Sequence, residues 1–388
     1  MESIEAVVAG HLCLDIIPDF GKSQPSGPTD AFRPGSLIEV GPATLSTGGA
    51  VSNTGIALHK LGTSVRLIGK VGGDDFGGIV RRIIAGYDRR LGEGIVLDRS
   101  AGTSYSVIIS RPGMDRIFLH HAGANDTFQA SDVPNEALAG IRLFHFGYPP
   151  AMKSMYDPDA RELVSIFQRA KDAGATTSLD MSLPDPMSPA GRADWRAILR
   201  SALPWVDVFL PSLEEILFML RGSASTVARP YGPELLSDVA REILEMGAKI
   251  AVLKLGENGL YLRTAKLSAI QALGRALPPD AQSWADREIW APCFRVDAAG
   301  TTGCGDATIA GFLAGLLRGL SPIKALTAAV AVGACNVEAP DALSGIRSWD
   351  ETKDRIAGGW PRRDLSVSSP GWRWDAEQAV WIGPGSPS

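Results

Sequence analysis

Apolar residues along this chain change rhythm near Ile141. Upstream they fall in short runs. Ala6–Leu14, ending near His11 and Asp15, predicts an opening strand; Gly35–Val40 and Val65–Val71 predict two more, with a helix over Val51–Leu61 between them. Tyr105–Ile109 and Arg116–His120 bracket Arg111-Pro-Gly-Met as the arms of a hairpin would. Residues 19–33 carry or adjoin Pro18, Gly21, Pro25, Gly27, Pro28 and Pro34, which break regular structure. Strands this short predict a small sheet beside a larger domain.

Downstream the periods lengthen. Phe144–Phe146, Thr176–Asp180, Val206–Leu210 and Ile250–Lys254 predict parallel strands, and Glu162–Ala173, Asp194–Ser201, Glu214–Leu220 and Leu235–Gly247 predict the helices between them. That alternation is the pattern of a layered α/β domain with right-handed crossovers on both faces of one sheet. Thr264–Trp290 is poorly periodic and predicts an excursion between two strands. The tail holds Trp349, Trp360, Trp372, Trp374 and Trp381, five of the nine tryptophans, and Gly371–Ile382 predicts a small hairpin packed on the body.

With 388 residues, 45% of them hydrophobic, the chain is long enough for a large core and a smaller appended unit. Its formal charge of -5 argues against nucleic-acid binding through bulk electrostatics. No apolar run approaches the roughly 20 residues needed to cross a bilayer, and the first ten residues hold two acids and no basic residue, unlike a secretory signal. Cys13, Cys293, Cys304 and Cys335 have no metal-binding or disulfide-framework spacing, so a cytoplasmic protein is expected. The five histidines, His11, His59, His120, His121 and His145, lack ligand spacing, although His120-His121 has the place of a pair flanking a cleft.

Chemistry concentrates in Val296–Phe312, where Gly300, Gly303 and Gly305 lead into an acid, Asp306, and then into a helix of small residues, Ala307–Leu317. Unpaired amides at a helix start attract anions, and glycines there permit a backbone nest. Gly303, Cys304 (through its N–H) and Gly305 are expected to hold a phosphate, and Asp306 to take the proton of an attacking hydroxyl. A second constellation, Gly48-Gly49-x-x-x-Asn53 with Asp15, has the donors and acceptors to hold a polyol. No G-x-x-x-x-G-K-[ST] loop is present, and no G-x-G-x-x-G follows the first strand, which excludes an ordinary P-loop enzyme and weakens a nicotinamide dehydrogenase. Any Mg²⁺ is expected to travel with the nucleotide, with Glu215 ordering its water shell.

From Val7 to Trp349 these motifs, in this order, resemble the ribokinase-like, or PfkB-type, carbohydrate kinases. Gly48-Gly49-x-x-x-Asn53 with Gly69-x-x-Gly72-x-Asp74-x-x-Gly77 resembles the N-terminal signature of that family, and Gly303-Cys-Gly305-Asp306 with Ala310-Gly311-Phe312 the C-terminal one. The resemblance implies a three-layer α/β domain over residues 1–350 with a mostly parallel sheet, a β lid from about 12–40 and 95–122, and the Trp-rich extension 351–388 packed on the core. It implies Asp306 as general base and Asp15, Gly48, Gly49 and Asn53 as substrate-binding, with Asn125 a weaker candidate. Lys254-x-Gly256-x-x-Gly259, Thr301, Gly333 and Asn336 fall on its nucleotide side, and ATP with Mg²⁺ is the donor system it implies.

Two departures stand out. Gly300 occupies the place where the family has an aspartate, with Asp297 three residues upstream, and Ser212-Leu-Glu-Glu215 replaces Asn-x-x-Glu. The expected activity is ATP-dependent phosphorylation of a primary hydroxyl on a small sugar or sugar-like polyol. A nucleoside kinase of the same fold, with Phe20, Phe32 and Phe118 as base-stacking candidates, and a noncatalytic sugar or nucleotide sensor are the alternatives. The lid also has edges that a second copy is able to pair, so a homodimer is an open expectation.

Overall fold

The computed structural model describes residues 3–21, 35, 37–110, 117–222 and 231–386. Along the chain the elements are β1 (Ala6–Gly10), β2 (Cys13–Pro18), β3 (Ala43–Gly48), α1 (Ala50–Lys60), β4 (Val65–Ile68), β5 (Lys70–Gly72), α2 (Asp75–Tyr87), β6 (Val96–Asp98), β7 (Tyr105–Ile109), β8 (Ile117–His121), α3 (Asn135–Leu138), β9 (Leu143–Gly147), α4 (Arg161–Asp172), β10 (Thr176–Asp180), α5 (Trp195–Ala202), β11 (Val208–Phe209), α6 (Leu213–Arg221), α7 (Pro233–Glu245), β12 (Ile250–Lys254), β13 (Leu260–Thr264), α8 (Leu267–Ile270), β14 (Glu288–Ala291), α9 (Cys304–Leu317), α10 (Pro322–Asn336), α11 (Trp349–Ala357), β15 (Arg373–Asp375) and β16 (Val380–Ile382).

Ten strands form the central sheet in the order β15-β16-β14-β13-β12-β11-β10-β9-β1-β4. From β12 to β4 neighbours run parallel, and from β12 to β15 they run antiparallel. Strands β1, β9 and β10 are buried at every residue, as a sheet covered on both faces requires. The period-two alternation divides the core: Ala6, Val8, Ile250 and Val252 pack with α1, α2, α9 and α10, whereas Val7, Ala9, Ala251 and Leu253 pack with α4, α5, α6 and α7. Among the described residues no helix is long and apolar enough to cross a membrane.

The opening strand is not continuous. It breaks at Gly10, where φ is 123° and a Cβ would lie 2.3 Å from the Gly147 carbonyl oxygen. The chain then leaves the central sheet for a four-stranded lid of order β3-β2-β7-β8, in which β2–β3 and β7–β8 are antiparallel and β2–β7 parallel. Val65–Val71 likewise splits at Gly69, and β5 pairs with β6 as a separate ribbon.

The expected lid boundaries need correction. Residues 37–40 form no strand and Leu37 is 96% exposed; the lid strand is β3, beyond Gly41-Pro42, whose pattern of Thr44, Ser46 and Thr47 around Leu45 is less apolar than Leu37-Ile38-Glu39-Val40. Nor does residue 95 begin the second half of the lid, because β6 belongs to the ribbon with β5. The hairpin turn expected at Arg111-Pro-Gly-Met lies outside the described residues.

The second half of the early glycine signature works in folding. Asp74 caps α2 by accepting from Gly77 N at 2.9 Å and also accepts from the Thr103 hydroxyl at 2.5 Å, which ties α2 to the approach of β7. At the other end of the chain, the tail hairpin β15–β16 extends the central sheet by pairing with β14. Trp360 stacks on Phe294 with centroids 4.3 Å apart, and Trp372 lies against Tyr261 and Trp290.

Candidate active site

The carboxyl ends of β1, β9, β10 and β12 and the amino ends of α1 and α9 converge, and ligand crevices of α/β sheets form at such strand ends. Helix α9 starts at Gly303, whose φ of 68° is left-handed and where a Cβ would lie 2.6 Å from the Ala342 Cβ. Asp306 follows in the first turn and is 2% exposed. Its Oδ2 accepts from Asn53 Nδ2 at 3.1 Å and its Oδ1 from the Thr54 hydroxyl at 3.1 Å, both on α1. The Tyr148 hydroxyl is 2.9 Å from each carboxylate oxygen. Burial raises the Asp306 pKa above its ordinary value, opposed by the Lys254 ammonium and by the Asn53, Tyr148 and Thr54 donors.

Beside it stands a buried ion cluster. Lys254 Nζ lies 2.5 Å from Asp180 Oδ1 and 4.0 Å from Glu215 Oε2. Desolvation pushes Asp180 upward against the pull of Lys254, and Glu215 is also raised by burial. For Lys254 burial acts downward, but the acids Asp180, Glu215 and Asp306 outweigh it and hold the ammonium charged. The same Nζ would be 3.8 Å from a Cβ at Gly305, so a buried cation lies against the glycine turn.

Across Asp306 the lid approaches. Asp15 is 9% exposed, and burial lifts its carboxyl to about 6 although the Cys13 thiol donates to it at 3.4 Å. Glycines make the space for these groups: a Cβ at Gly48 would be 2.4 Å from Asp15 Oδ2, and one at Gly49 would be 2.5 Å from His11 Nδ1. The His11 ring lies 5.1 Å from His120 and 6.2 Å from Tyr148, centroid to centroid. Burial lowers His11 to about 3, so the ring is neutral, and neither of its buried nitrogens has a hydrogen-bond partner among the described residues. His120 Nδ1 is 3.0 Å from the Ser106 hydroxyl.

A family model described as pfkB family carbohydrate kinase matches residues 7–349. This chain belongs to that family. It is 25% identical to a probable fructokinase-7 of Arabidopsis thaliana over 360 residues, 90% of this chain and 92% of the relative. In fold it is similar to a fructokinase of Xylella fastidiosa solved with bound ATP, with a TM-score of 0.68, 20% identity, and coverage of 92% of this chain and 99% of that one. It is also similar to a nucleoside kinase of Methanocaldococcus jannaschii, with a TM-score of 0.64, 19% identity, and coverage of 91% and 98%.

Within this pfkB chain, Asp306, Gly303, Cys304, Gly305, Asp15, Gly48, Gly49 and Asn53 lie together, with Asn53 directly on Asp306. The Cys304 N–H turns toward the Thr301 carbonyl at 3.4 Å, and Thr301 itself is exposed. Asn125 is fully buried and its amide grips the Leu12 backbone, donating to the carbonyl at 3.0 Å and accepting from the N–H at 3.3 Å. That side chain fixes the crossing into the lid.

Two residues expected on the nucleotide side make contacts within the fold. Gly333 faces Thr308, whose hydroxyl would be 2.2 Å from a Cβ there, so the glycine permits α10 to pack on α9. Asn336 donates to the Ala342 carbonyl at 2.7 Å and is fully buried. Gly259 is a turn glycine with φ of 89°, while Gly256 (φ 58°) has open space beside it. Lys254 belongs with the acids at the glycine turn.

Glu215 and Ser212 cap one another. Glu215 Oε2 accepts from Ser212 N at 2.6 Å and the Ser212 hydroxyl accepts from Glu215 N at 3.2 Å, so the serine supplies a capping box at the start of α6. Asp297 is exposed. A Cβ at Gly300 would meet the Pro340 carbonyl oxygen at 2.8 Å, so backbone fills the place of a side chain there. The sequence marked no site role for Tyr148, Thr54 or Asp180, and His11 stood out only as the end of the opening strand and as a histidine without ligand spacing. The available signal was position: Asp180 and Lys254 end β10 and β12, two strands apart in a parallel sheet, which brings their side chains to one edge.

Proposed function

We propose that this chain transfers the γ-phosphoryl group of ATP to a primary hydroxyl of a small sugar or sugar-like polyol. The observation that carries this reading is Asp306, a buried carboxylate in the first turn of α9 behind a left-handed glycine, facing Asn53 and the Gly48–Asp15 constellation.

The residues suit ATP. The Gly303–Gly305 turn is only half-buried and presents a helix start to an anion, Lys254 stands beside it, and the open side of Gly256 gives room for a nucleotide. They suit Mg²⁺ only as a companion of the phosphates: among the described residues no group of three or more His, Cys, Asp or Glu is able to hold a metal. Glu215, held in its capping box, would then order the water shell. When bound, the cation would draw charge from the phosphate oxygens.

The chain's own residues do the remainder. Asp15 accepts hydroxyls of the acceptor, and Asn53 holds Asp306 in position. Asp306 takes the proton of the attacking hydroxyl, and the amino end of α9 with Lys254 meets the charge on the transferred group. The lid, carrying Asp15 and His120, would close over the reaction. Its outer strand β8 exposes Ile117, Phe118 and Leu119, and a homodimer through this sheet is part of the same reading. A nucleoside kinase of the same fold is the alternative reading; of its base-stacking candidates, Phe118 lies on the lid strand β8 and Phe32 lies outside the described residues.

A coupled assay with ATP, Mg²⁺ and a panel of D-fructose, D-ribose, other hexoses and nucleosides tests the proposal. Asp306→Asn should lower kcat about 10²–10⁴-fold with acceptor binding retained. Near-normal turnover in that variant, or no product from the wild-type chain across the panel, refutes it.

A further inference from the structure

Tyr148 is held in a backbone state that its type avoids. It follows the last residue of β9 with φ 64° and ψ 45° and precedes Pro149. Bulky residues rarely enter the left-handed region, and a residue before proline is driven toward extended backbone. Such outliers persist where surroundings over-determine them, often at sites of function. Here the surroundings are the His11 ring and the carboxylate of Asp306.

The hydrogen-bond inventory of Asp306 makes the tyrosine consequential. A carboxylate has about four lone-pair directions. Thr54 and Tyr148 address Oδ1, and Asn53 and Tyr148 address Oδ2. An acceptor hydroxyl must itself bond to Asp306 to deliver its proton; the carboxylate is 2% exposed and the Tyr148 hydroxyl lies 2.9 Å from both of its oxygens, so the approach runs through a place that one of these donors now covers. Asn53 and Thr54 are fixed on the buried helix α1. Tyr148 has a single proton for two oxygens and sits on a turn, which makes it the donor to be exchanged.

We infer that Tyr148 is a positioning residue that occupies the acceptor's place on Asp306 until the acceptor displaces it, denying that place to water. This inference rests on the phosphotransferase reading above. The reaction suppressed is hydrolysis: water oxygen would bond to the γ-phosphorus, the bond to the β,γ-bridging oxygen would break with its electron pair leaving on ADP, and the water proton would pass to Asp306. Burial and the Asp306 charge keep the Tyr148 hydroxyl protonated, so it donates to the base and does not compete for the proton.

The test compares the full-length wild-type chain with Tyr148→Phe and with Tyr148→Gly, which the left-handed backbone accepts. ADP release with ATP and Mg²⁺ alone is measured against phosphorylated product formed from a panel sugar at saturation. Both variants should raise hydrolysis relative to transfer by about tenfold or more, because water gains the place beside a general base. Thr54→Val, which removes a donor on the rigid helix, should slow transfer while leaving that ratio at the wild-type value. Loss of the Tyr148 bond should also move the acid limb of kcat to higher pH.

An unchanged ratio in both Tyr148 variants, with a wild-type chain that transfers phosphate, overturns the inference alone. An equal rise in Thr54→Val overturns it too, since base tuning would then suffice. A wild-type chain that phosphorylates no member of the panel overturns the phosphotransferase reading and this inference together.

Discussion

Asp15→Asn should make the protein more stable and less active at once. Burial raises this carboxyl from an ordinary 3.8 to about 6, so at neutral pH the fold keeps an anion where the neutral form is preferred. Because the folded value lies above the unfolded one, the penalty disappears below the unfolded pKa and reaches full size above the folded pKa. Linkage gives about 1.6 kcal/mol at pH 5 and about 3 kcal/mol at pH 8. Asparagine keeps the shape and does not titrate. The stability difference between variant and wild type should therefore grow by about 1.4 kcal/mol between those two pH values.

Urea unfolding of both chains at pH 5 and pH 8 measures this, since other titrating groups cancel in the double difference. At pH 8 the full effect corresponds to about 4 °C in Tm for a chain of this length. Acceptor kcat/KM should fall about 10–100-fold in the variant, the worth of a hydrogen bond to a charged group. In the wild type it should fall as pH drops through about 6 and Asp15 protonates. A stability difference identical at both pH values would refute the view of Asp15 as a desolvated carboxylate kept for binding.

Lys254→Met should destabilise the fold by about 3–5 kcal/mol, because it leaves Asp180 without its buried partner. It should also move the acid limb of kcat upward, since Lys254 lowers the Asp306 pKa. Adding Asp180→Asn should recover most of the lost stability but not the activity, read by urea unfolding and a pH–rate profile. Gly300→Asp, which restores the acid usual in the family, should lower stability by about 1–3 kcal/mol without raising kcat, because the Pro340 backbone occupies the space. A gain in turnover would show that the missing acid limits the enzyme.

Two parallel strands, Thr176–Asp180 and Ile250–Lys254, have the expected limits: the second is a continuous apolar run of the kind that burial on both faces leaves, and the first opens on β-branched threonines and ends at an acid. The lid was legible only in outline. Leu37-Ile38-Glu39-Val40 is apolar enough to read as a strand, yet the segment that pairs is Ala43–Gly48, chosen by register with β2. In the site, Asp306 announced itself through its glycines, whereas Tyr148 did not. Its Gly-Tyr-Pro-Pro surroundings mark a turn but not its hand, and its partner is 158 residues away. For Asn125 and Gly333 the packing role was illegible for a related reason: a glycine or an amide serves packing as well as it serves a ligand, and only three-dimensional neighbours show the packing.

The two departures from the family pattern acquire physical causes of different kinds. Ser212 closes a capping box that presents Glu215 toward Lys254, so the shorter side chain preserves the acid's orientation through α6. Gly300 is constrained from outside: Ala299 and Gly300 donate to the Val337 carbonyl at 2.8 and 3.2 Å, and the backbone of residues 339–340 fills the space that a Cβ would need. An acid at that position would displace the turn after α10 and with it the loop that leads to Gly303. Lys254 is buried, charged, and beside Gly305, whereas Asp297 is exposed. In this chain the electrostatics of the glycine turn therefore depend on the Lys254–Asp180 pair, which makes that pair the place where the proposed phosphate-side function and fold stability are coupled.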